Sequence, residues 1–292
     1  MKFGMNLLLW TDDPTQDSFF PILESLKGMG FDGVELPIFN LDPARYAALG
    51  KRLDALGLAR TAVTARGEAA NPISPDAAVR AKALAENKLA LECCAAVGST
   101  QIAGPYYAAL GHFTGAGPTA TEWAHGIEGM RGMAEHAGKL GITLNLEFLN
   151  RFEIYLLNDS ATAAKFAREV GHPACKMMYD TFHANIEEKN ILTALQSCAD
   201  VLSHVHISEN DRSTPGQGQI DWNTTFAALD RVGYEGWLTI EAFGLGLPSL
   251  AAATKIWRRM FVDELQLARD GLAFMKQRWA AQVAQRPAGR RP

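Results

Sequence analysis

Four residues carry the chemistry this sequence can offer: Glu147, Asp180, His206 and Glu241. Each stands at or near the C-terminal edge of a short apolar run: Thr143-Leu144-Asn145-Leu146, Met177-Met178-Tyr179, His204-Val205-His206 and Leu238-Thr239-Ile240. Their separations are 33, 26 and 35 residues, each close to the length of one strand–helix repeat. A lone carboxylate at a strand end is commonly a solvated loop residue or a helix N-cap. Three carboxylates anchored beside apolar strands are different, because burying them together is costly without a counter-charge. A divalent cation supplies that charge. The set is hard and mostly oxygen, which points to Mn²⁺, Mg²⁺ or Co²⁺ with open coordination positions rather than to a closed zinc site. His204 lies two residues before His206 and faces the same side of its strand. It falls one layer deeper, where a satisfied buried histidine or a support for a ligand is the expectation, so it stays outside the metal set.

The elements that must position these residues alternate along the chain. Strands are expected at Phe3 to Leu9, Gly33 to Leu36, Ala59 to Thr64, Thr100 to Ala103, Ile142 to Phe148, Cys175 to Tyr179, Ser203 to Ile207 and Trp237 to Ala242. Helical spacing lies between them. Tyr46, Leu49, Leu53 and Leu56 step by three and four before Gly57, and Trp123, Ile127, Met130, Ala134 and Ala137 do so before Gly141. A last stripe joins Trp257, Phe261, Leu265, Ala268, Leu272, Met275 and Trp279, while the seventh helix has the weakest pattern. Eight such units of roughly 36 residues make a single (β/α)8 TIM barrel, with parallel strands and right-handed crossovers. An open doubly wound sheet is the competitor, but Gly28-Met29-Gly30 precedes the second strand, and no nucleotide-binding glycine fingerprint follows the first. One domain over 1–292 is expected, with a frayed tail from about residue 281.

Composition narrows the function classes. A 48% hydrophobic chain of 292 residues is a packed protein, not a disordered one. A net charge of −4 leaves no electrostatic footprint for nucleic acid. Four cysteines without a C-x-x-C spacing fit a reducing compartment. The N-terminal apolar stretch lacks a signal-peptide cleavage pattern and is too short to span a bilayer, so a cytoplasmic protein without a membrane partner is expected.

Further polar residues cluster just past the same strand ends: Asn150-Arg151-Phe152-Glu153, Thr181-Phe182-His183 and Glu209-Asn210-Asp211-Arg212. Asp211 and Arg212 read equally well as surface loop charges. Glu153 and His183 sit beside aromatic rings, and charged groups interleaved with rings suit a sugar. Trp10, Tyr106, Tyr107 and Phe243 stand at other strand ends and could extend such a wall. Gly216-Gln217-Gly218 and Gly244-Leu245-Gly246 lie where many barrels bind phosphate. With no Lys and only Arg212 nearby, a free sugar fits better than a sugar phosphate.

Three stretches, Leu146 to Glu153, Asp180 to Glu188 and His204 to Arg212, together resemble the D-tagatose 3-epimerase family, which includes D-allulose (psicose) and L-ribulose 3-epimerases. The resemblance runs from Gly4-Met5 to Glu241. It implies a homo-oligomeric (β/α)8 barrel, a homodimer or homotetramer, that holds Mn²⁺ or Co²⁺ on Glu147, Asp180, His206 and Glu241. It implies that Glu147 and Glu241 are the acid/base pair and that Glu153, His183 and Arg212 hold the O1 to O3 region of a ketose. Asn6 departs from the family, whose members often carry an aromatic after Gly-Met. With Phe243 it is assigned here as a substrate contact. The Gly104 to Gly117 loop matches no family motif. The activity implied is a metal-dependent 3-epimerase of free ketoses that works through an enediolate. An aldose–ketose isomerase is the nearest alternative, a phosphodiesterase of the endonuclease IV type is more distant, and a catalytically silent sugar-binding protein is a third.

Overall fold

The computed structural model describes residues 1–286. Eight strands, β1 (Lys2–Asn6), β2 (Gly33–Pro37), β3 (Ala59–Val63), β4 (Gln101–Gly104), β5 (Thr143–Glu147), β6 (Cys175–Asp180), β7 (Leu202–Ile207) and β8 (Trp237–Ile240), form a closed barrel in sequence order. Every pairing is parallel, including the closure of β1 on β8. The expected (β/α)8 TIM barrel is therefore the fold. Around it lie α1 (Phe20–Met29), α2 (Pro43–Leu56), α3 (Ala77–Val97), α4 (Ala120–Leu140), α5 (Ser160–Val170), α6 (Thr181–Glu187), α7 (Ile191–Cys198), α8 (Trp222–Arg231), α9 (Pro248–Thr254) and α10 (Glu264–Ala284).

Local chemistry explains most of these bounds. The periodic stripe of α2 buries Tyr46, Leu49 and Leu53, and Gly57 ends the helix in the left-handed region (φ 65°). In α4, Met130, Ala134 and Ala137 face the core, a Thr119–Glu122 capping box starts the helix and Gly141 (φ 68°) stops it. The weakly patterned seventh unit is helical after all, as α8, whose N-terminus Asp221 caps by accepting from Thr224 N.

Three expected bounds need correction. β1 ends at Asn6 rather than Leu9, because the Asn6 side chain accepts from Leu8 N and turns the chain into a 3-10 turn at Leu7–Leu9. The last helical stripe does not begin at Trp257. Lys255 adopts a left-handed backbone (φ 62°) after α9, and α10 starts only at Glu264, where Asp263 caps Gln266 N. Trp257 is 72% exposed in the intervening segment, whereas Ala268, Leu272 and Met275 are core residues. At the other end α10 stays helical to Ala284, past the expected start of a frayed tail. Gln282 and Arg286 both bind the Asp230 carboxylate, Arg286 Nη2 at 2.6 Å. The rest of that expected tail, 287–292, lies outside the described residues.

The Trp237 indole, at the start of β8, reaches past Gly4 of β1 to Gly33 of β2. A Cβ on Gly33 would lie 2.3 Å from Ala59 O and 2.7 Å from Trp237 Cη2, so only glycine lets β2 approach β3 and that ring. The β6–β7 register shifts between Met177 and Met178, which aligns Asp180 opposite His206 near the C-terminal ends of the two strands. Among the described residues no helix is long and apolar enough to cross a membrane.

Candidate metal centre and active site

The four expected ligands converge. Glu147, Asp180, His206 and Glu241 each offer a ligand atom, all within 4.8 Å of one another, and all four residues are buried. Glu147 is the last residue of β5, Asp180 the last of β6, and Glu241 directly follows β8. Asp180 is fixed from behind: its Oδ1 caps α6 by accepting from Phe182 N at 2.7 Å, which turns Oδ2 toward the centre. His206 Nδ1 lies 3.5 Å from Glu241 Oε1, 3.6 Å from Asp180 Oδ2 and 3.8 Å from Glu147 Oε1. That nitrogen is buried and has no hydrogen-bond partner. An orphaned imidazole nitrogen facing three carboxylate oxygens is the donor set a hard divalent ion takes, so these residues fit such an ion.

The electrostatics are those of a site built around positive charge. Burial, followed by the neighbouring charge of Glu241, raises the Glu147 carboxyl well above its usual range. Burial also disfavours the Asp180 carboxylate, yet Arg212 and His206 outweigh it and hold that group well below its usual range. Burial opposes a charged His206, but Glu35 and Glu241 overcome it and raise the imidazole well above its ordinary value.

Arg212 is no surface charge. Its Nη1 donates to Glu241 Oε2 at 2.7 Å, to Asp180 Oδ2 at 2.8 Å and to Ser208 Oγ at 2.9 Å. The guanidinium carbon lies 4.0 Å from the Phe182 ring centre and 4.9 Å from that of Phe243. Asp211, by contrast, accepts from Ser213 in the adjoining loop and takes no part. His183 is buried beside Arg212, which donates Nη2 to its Nε2 at 2.9 Å, while the Asn150 backbone N–H lies 3.1 Å from Nδ1. Both ring nitrogens face donors. Burial and the Arg212 charge push its pKa down to about 3. Glu153 accepts from Asn150 Nδ2 at 2.8 Å, and burial raises its carboxyl.

Glu147, Glu153, His183, Arg212, Glu241 and Phe243 all line one cavity of about 90 Å³ in the barrel mouth. Leu8, Val63, Leu110, Leu149 and Leu250 are among its apolar walls. The broader aromatic wall does not form. Tyr106 and Tyr107 are core residues whose hydroxyls donate to Ile102 O and Glu147 O, and Phe152 is 69% exposed. Asn6 is buried at the floor rather than on the cavity wall, its amide donating at 3.1 Å to both Glu35 Oε1 and Glu241 Oε1. Its reach toward a sugar therefore runs through Glu241.

Sequence reasoning missed Glu35. It lies inside β2, wholly buried, 2.6 Å from His206 Nε2 and 2.9 Å from His204 Nε2. The signal was present as a single charge in the apolar run Val34-Glu35-Leu36. In the Gly216-Gln217-Gly218 loop, Glu209 takes the Gly216 N–H and Thr214 O takes the Gln217 N–H. The Glu209 carboxylate accepts from Gly216 N at 2.8 Å, Ile220 N at 3.2 Å and Trp222 Nε1 at 3.0 Å.

Known proteins carry the same architecture. A family model described as Xylose isomerase-like TIM barrel matches residues 23–278. An L-ribulose 3-epimerase of Mesorhizobium japonicum is 32% identical over 276 residues, 94% of this chain and 93% of the relative. A D-psicose 3-epimerase of Agrobacterium fabrum is 31% identical over 285 residues, 94% of this chain and 98% of its own. The crystal structure of D-allulose 3-epimerase from Methylomonas sp. in complex with D-allulose superposes with a TM-score of 0.88 at 29% identity, covering 95% of this chain and 97% of that one. The resemblance read from three motifs thus extends over nearly the whole chain.

Proposed function

The chain belongs to the xylose isomerase-like TIM barrel family, and we propose that it is a metal-dependent isomerase that epimerises free ketoses at C3. The substrates of this reading are of the D-fructose/D-allulose, D-tagatose/D-sorbose or L-ribulose/L-xylulose type. The observation that carries it is the partnerless His206 Nδ1 facing Glu147, Asp180 and Glu241 in a cavity also lined by Glu153, His183 and Arg212. The named ketose 3-epimerases at about this similarity support it.

Glu147, Asp180, His206 and Glu241 would hold the ion, Mn²⁺ first, with Co²⁺ or Mg²⁺ as alternatives. Bound there, it would act as a Lewis acid on oxygens of the ketose and stabilise charge that develops on the former carbonyl oxygen. Glu147 and Glu241 project from strand ends three apart, which suits an acid/base pair flanking a sugar. One, ionised, takes the C3 proton, and the other, protonated, delivers a proton to the opposite face. The roles exchange in the reverse direction. Arg212, His183 and Glu153 hydrogen-bond the O1 to O3 end, and Phe243 with Leu8, Val63 and Leu110 excludes water from the far end. No phosphate is needed in this reading, and the Glu209 carboxylate already takes the Gly216 N–H of the glycine loop.

The same reading takes residues 1–292 as one domain. It works in the cytoplasm, in keeping with four free buried cysteines, as a homodimer or homotetramer. Turnover of D-fructose and L-ribulose in D₂O, followed by NMR, tests it. Deuterium entering at C3 is the expected result. Deuterium at C1 would instead mark an aldose–ketose isomerase, and none in either sugar would leave the proposal without its reaction.

A further inference from the structure

Beneath the ligand cluster lies a second layer of buried polar side chains centred on Glu35. Its Oε1 accepts from Asn6 Nδ2 at 3.1 Å and meets His206 Nε2 at 2.6 Å. Its Oε2 accepts from Thr61 Oγ1 at 2.9 Å, with His204 Nε2 2.9 Å away but off a hydrogen-bonding direction. The orientation of the Asn6 amide follows from its other end: Oδ1 accepts from Leu8 N at 2.9 Å, so the nitrogen must face the carboxylates. That nitrogen reaches both Glu35 and Glu241.

We infer that Glu35 is a positioning residue for the metal centre, an inference that rests on the metal-dependent reading above. An ionised carboxylate can only accept, so His206 must carry a hydrogen on Nε2. In the neutral ring the lone pair is then on Nδ1, the atom that faces Glu147, Asp180 and Glu241. The opposite tautomer would aim an N–H into the ion's place and set two lone pairs 2.6 Å apart. Asn6 extends the same support to a second ligand by holding Glu241 Oε1 at 3.1 Å. Glu35 thus fixes one ligand by its tautomer and, through Asn6, another by its rotamer. Glutamine at this position would keep the shape but could present either a donor or an acceptor to His206.

The test is calorimetric titration of Mn²⁺ into chelator-stripped wild-type protein and E35Q. The expected result is Mn²⁺ binding weaker by about 10- to 100-fold in E35Q. The visible absorption of the Co²⁺-loaded variant should also change, because a differently turned His206 alters the ligand field, which a merely structural role would not do. Wild-type Mn²⁺ affinity with an unchanged Co²⁺ spectrum in E35Q would overturn the inference. If E35Q does not fold, N6A decides in its place: several-fold weaker Mn²⁺ binding is expected, and undiminished binding overturns the link. A wild-type protein that takes up no Mn²⁺ would overturn the metal reading, and this inference with it.

Discussion

Arg212 grips Glu241 through a 2.7 Å contact from Nη1 to Oε2, and it does so from a left-handed backbone with φ 62°. A non-glycine residue held there stores strain that only its surroundings can stabilise. Both of its peptide groups are tied down, Arg212 N to Glu209 O and Arg212 O to Phe243 N, each at 2.9 Å. The guanidinium is then clamped between Phe182 and Phe243. Strain, burial and paired carboxylates meet at one residue, which is the signature of a side chain kept for its position.

R212K keeps the charge but loses the planar fork that serves Asp180, Glu241 and His183 together. We expect kcat/KM for a ketose to fall by about 100-fold, or roughly 2.7 kcal/mol of transition-state stabilisation. R212A should also destabilise the metal-free protein by about 3–5 kcal/mol, because it strands buried carboxylates. Steady-state kinetics and urea unfolding read the two effects separately.

E147Q separates stability from catalysis. In the metal-free protein the folded-state pKa of Glu147 is raised, so its contribution to stability is present below the ordinary carboxylate pKa and is lost as pH rises through the folded value. Glutamine mimics the protonated form. Stripped E147Q should therefore be at least as stable as the wild type at pH 8, while epimerisation falls by about 100- to 10,000-fold in both directions. Thermal unfolding and turnover from each epimer check this, and retained turnover would count against Glu147 as an acid/base group.

His183 gives a pH signature of opposite sign. Its folded pKa is about 3 against an ordinary 6.5, so between those values the unfolded chain binds a proton that the folded one does not. Its contribution is whole above pH 6.5 and declines as the solution is acidified toward pH 3. For the stripped protein, H183Q should flatten the loss of stability between pH 6.5 and 4.5 by up to about 1.4 kcal/mol per pH unit. Equal slopes for the two proteins, by denaturant unfolding, would mean that His183 is protonated in the folded state.

The sequence disclosed the barrel and its candidate ligands for the same reason: each of the four residues lies at or near the end of an apolar run, and the runs recur at the length of a strand–helix unit. Glu147, Asp180, His206 and Glu241 are legible because period and residue type coincide. Glu35 was hidden, and Asn6 was read as a substrate contact, because their roles are defined by partners across the barrel, Glu35 meeting His206 at a sequence distance of 171 residues and Asn6 meeting Glu241 at 235. No local pattern encodes such pairs. Arg212 was ambiguous for a related reason, since a loop arginine reads as solvated until the strained backbone that turns it inward is seen. The Trp257 stripe misled because helical spacing persisted through the non-helical segment between the end of α9 at Lys255 and the Asp263 cap of α10.

The central claim is that four buried side chains at the barrel mouth hold one divalent ion on which turnover depends. Its most direct measurement is ketose epimerisation by protein dialysed against a chelator, before and after refilling with Mn²⁺ or Co²⁺, with metal content determined on the same samples. The expected result is loss of activity on stripping and its return as about one ion per chain binds. Full epimerisation by metal-free protein would contradict the account.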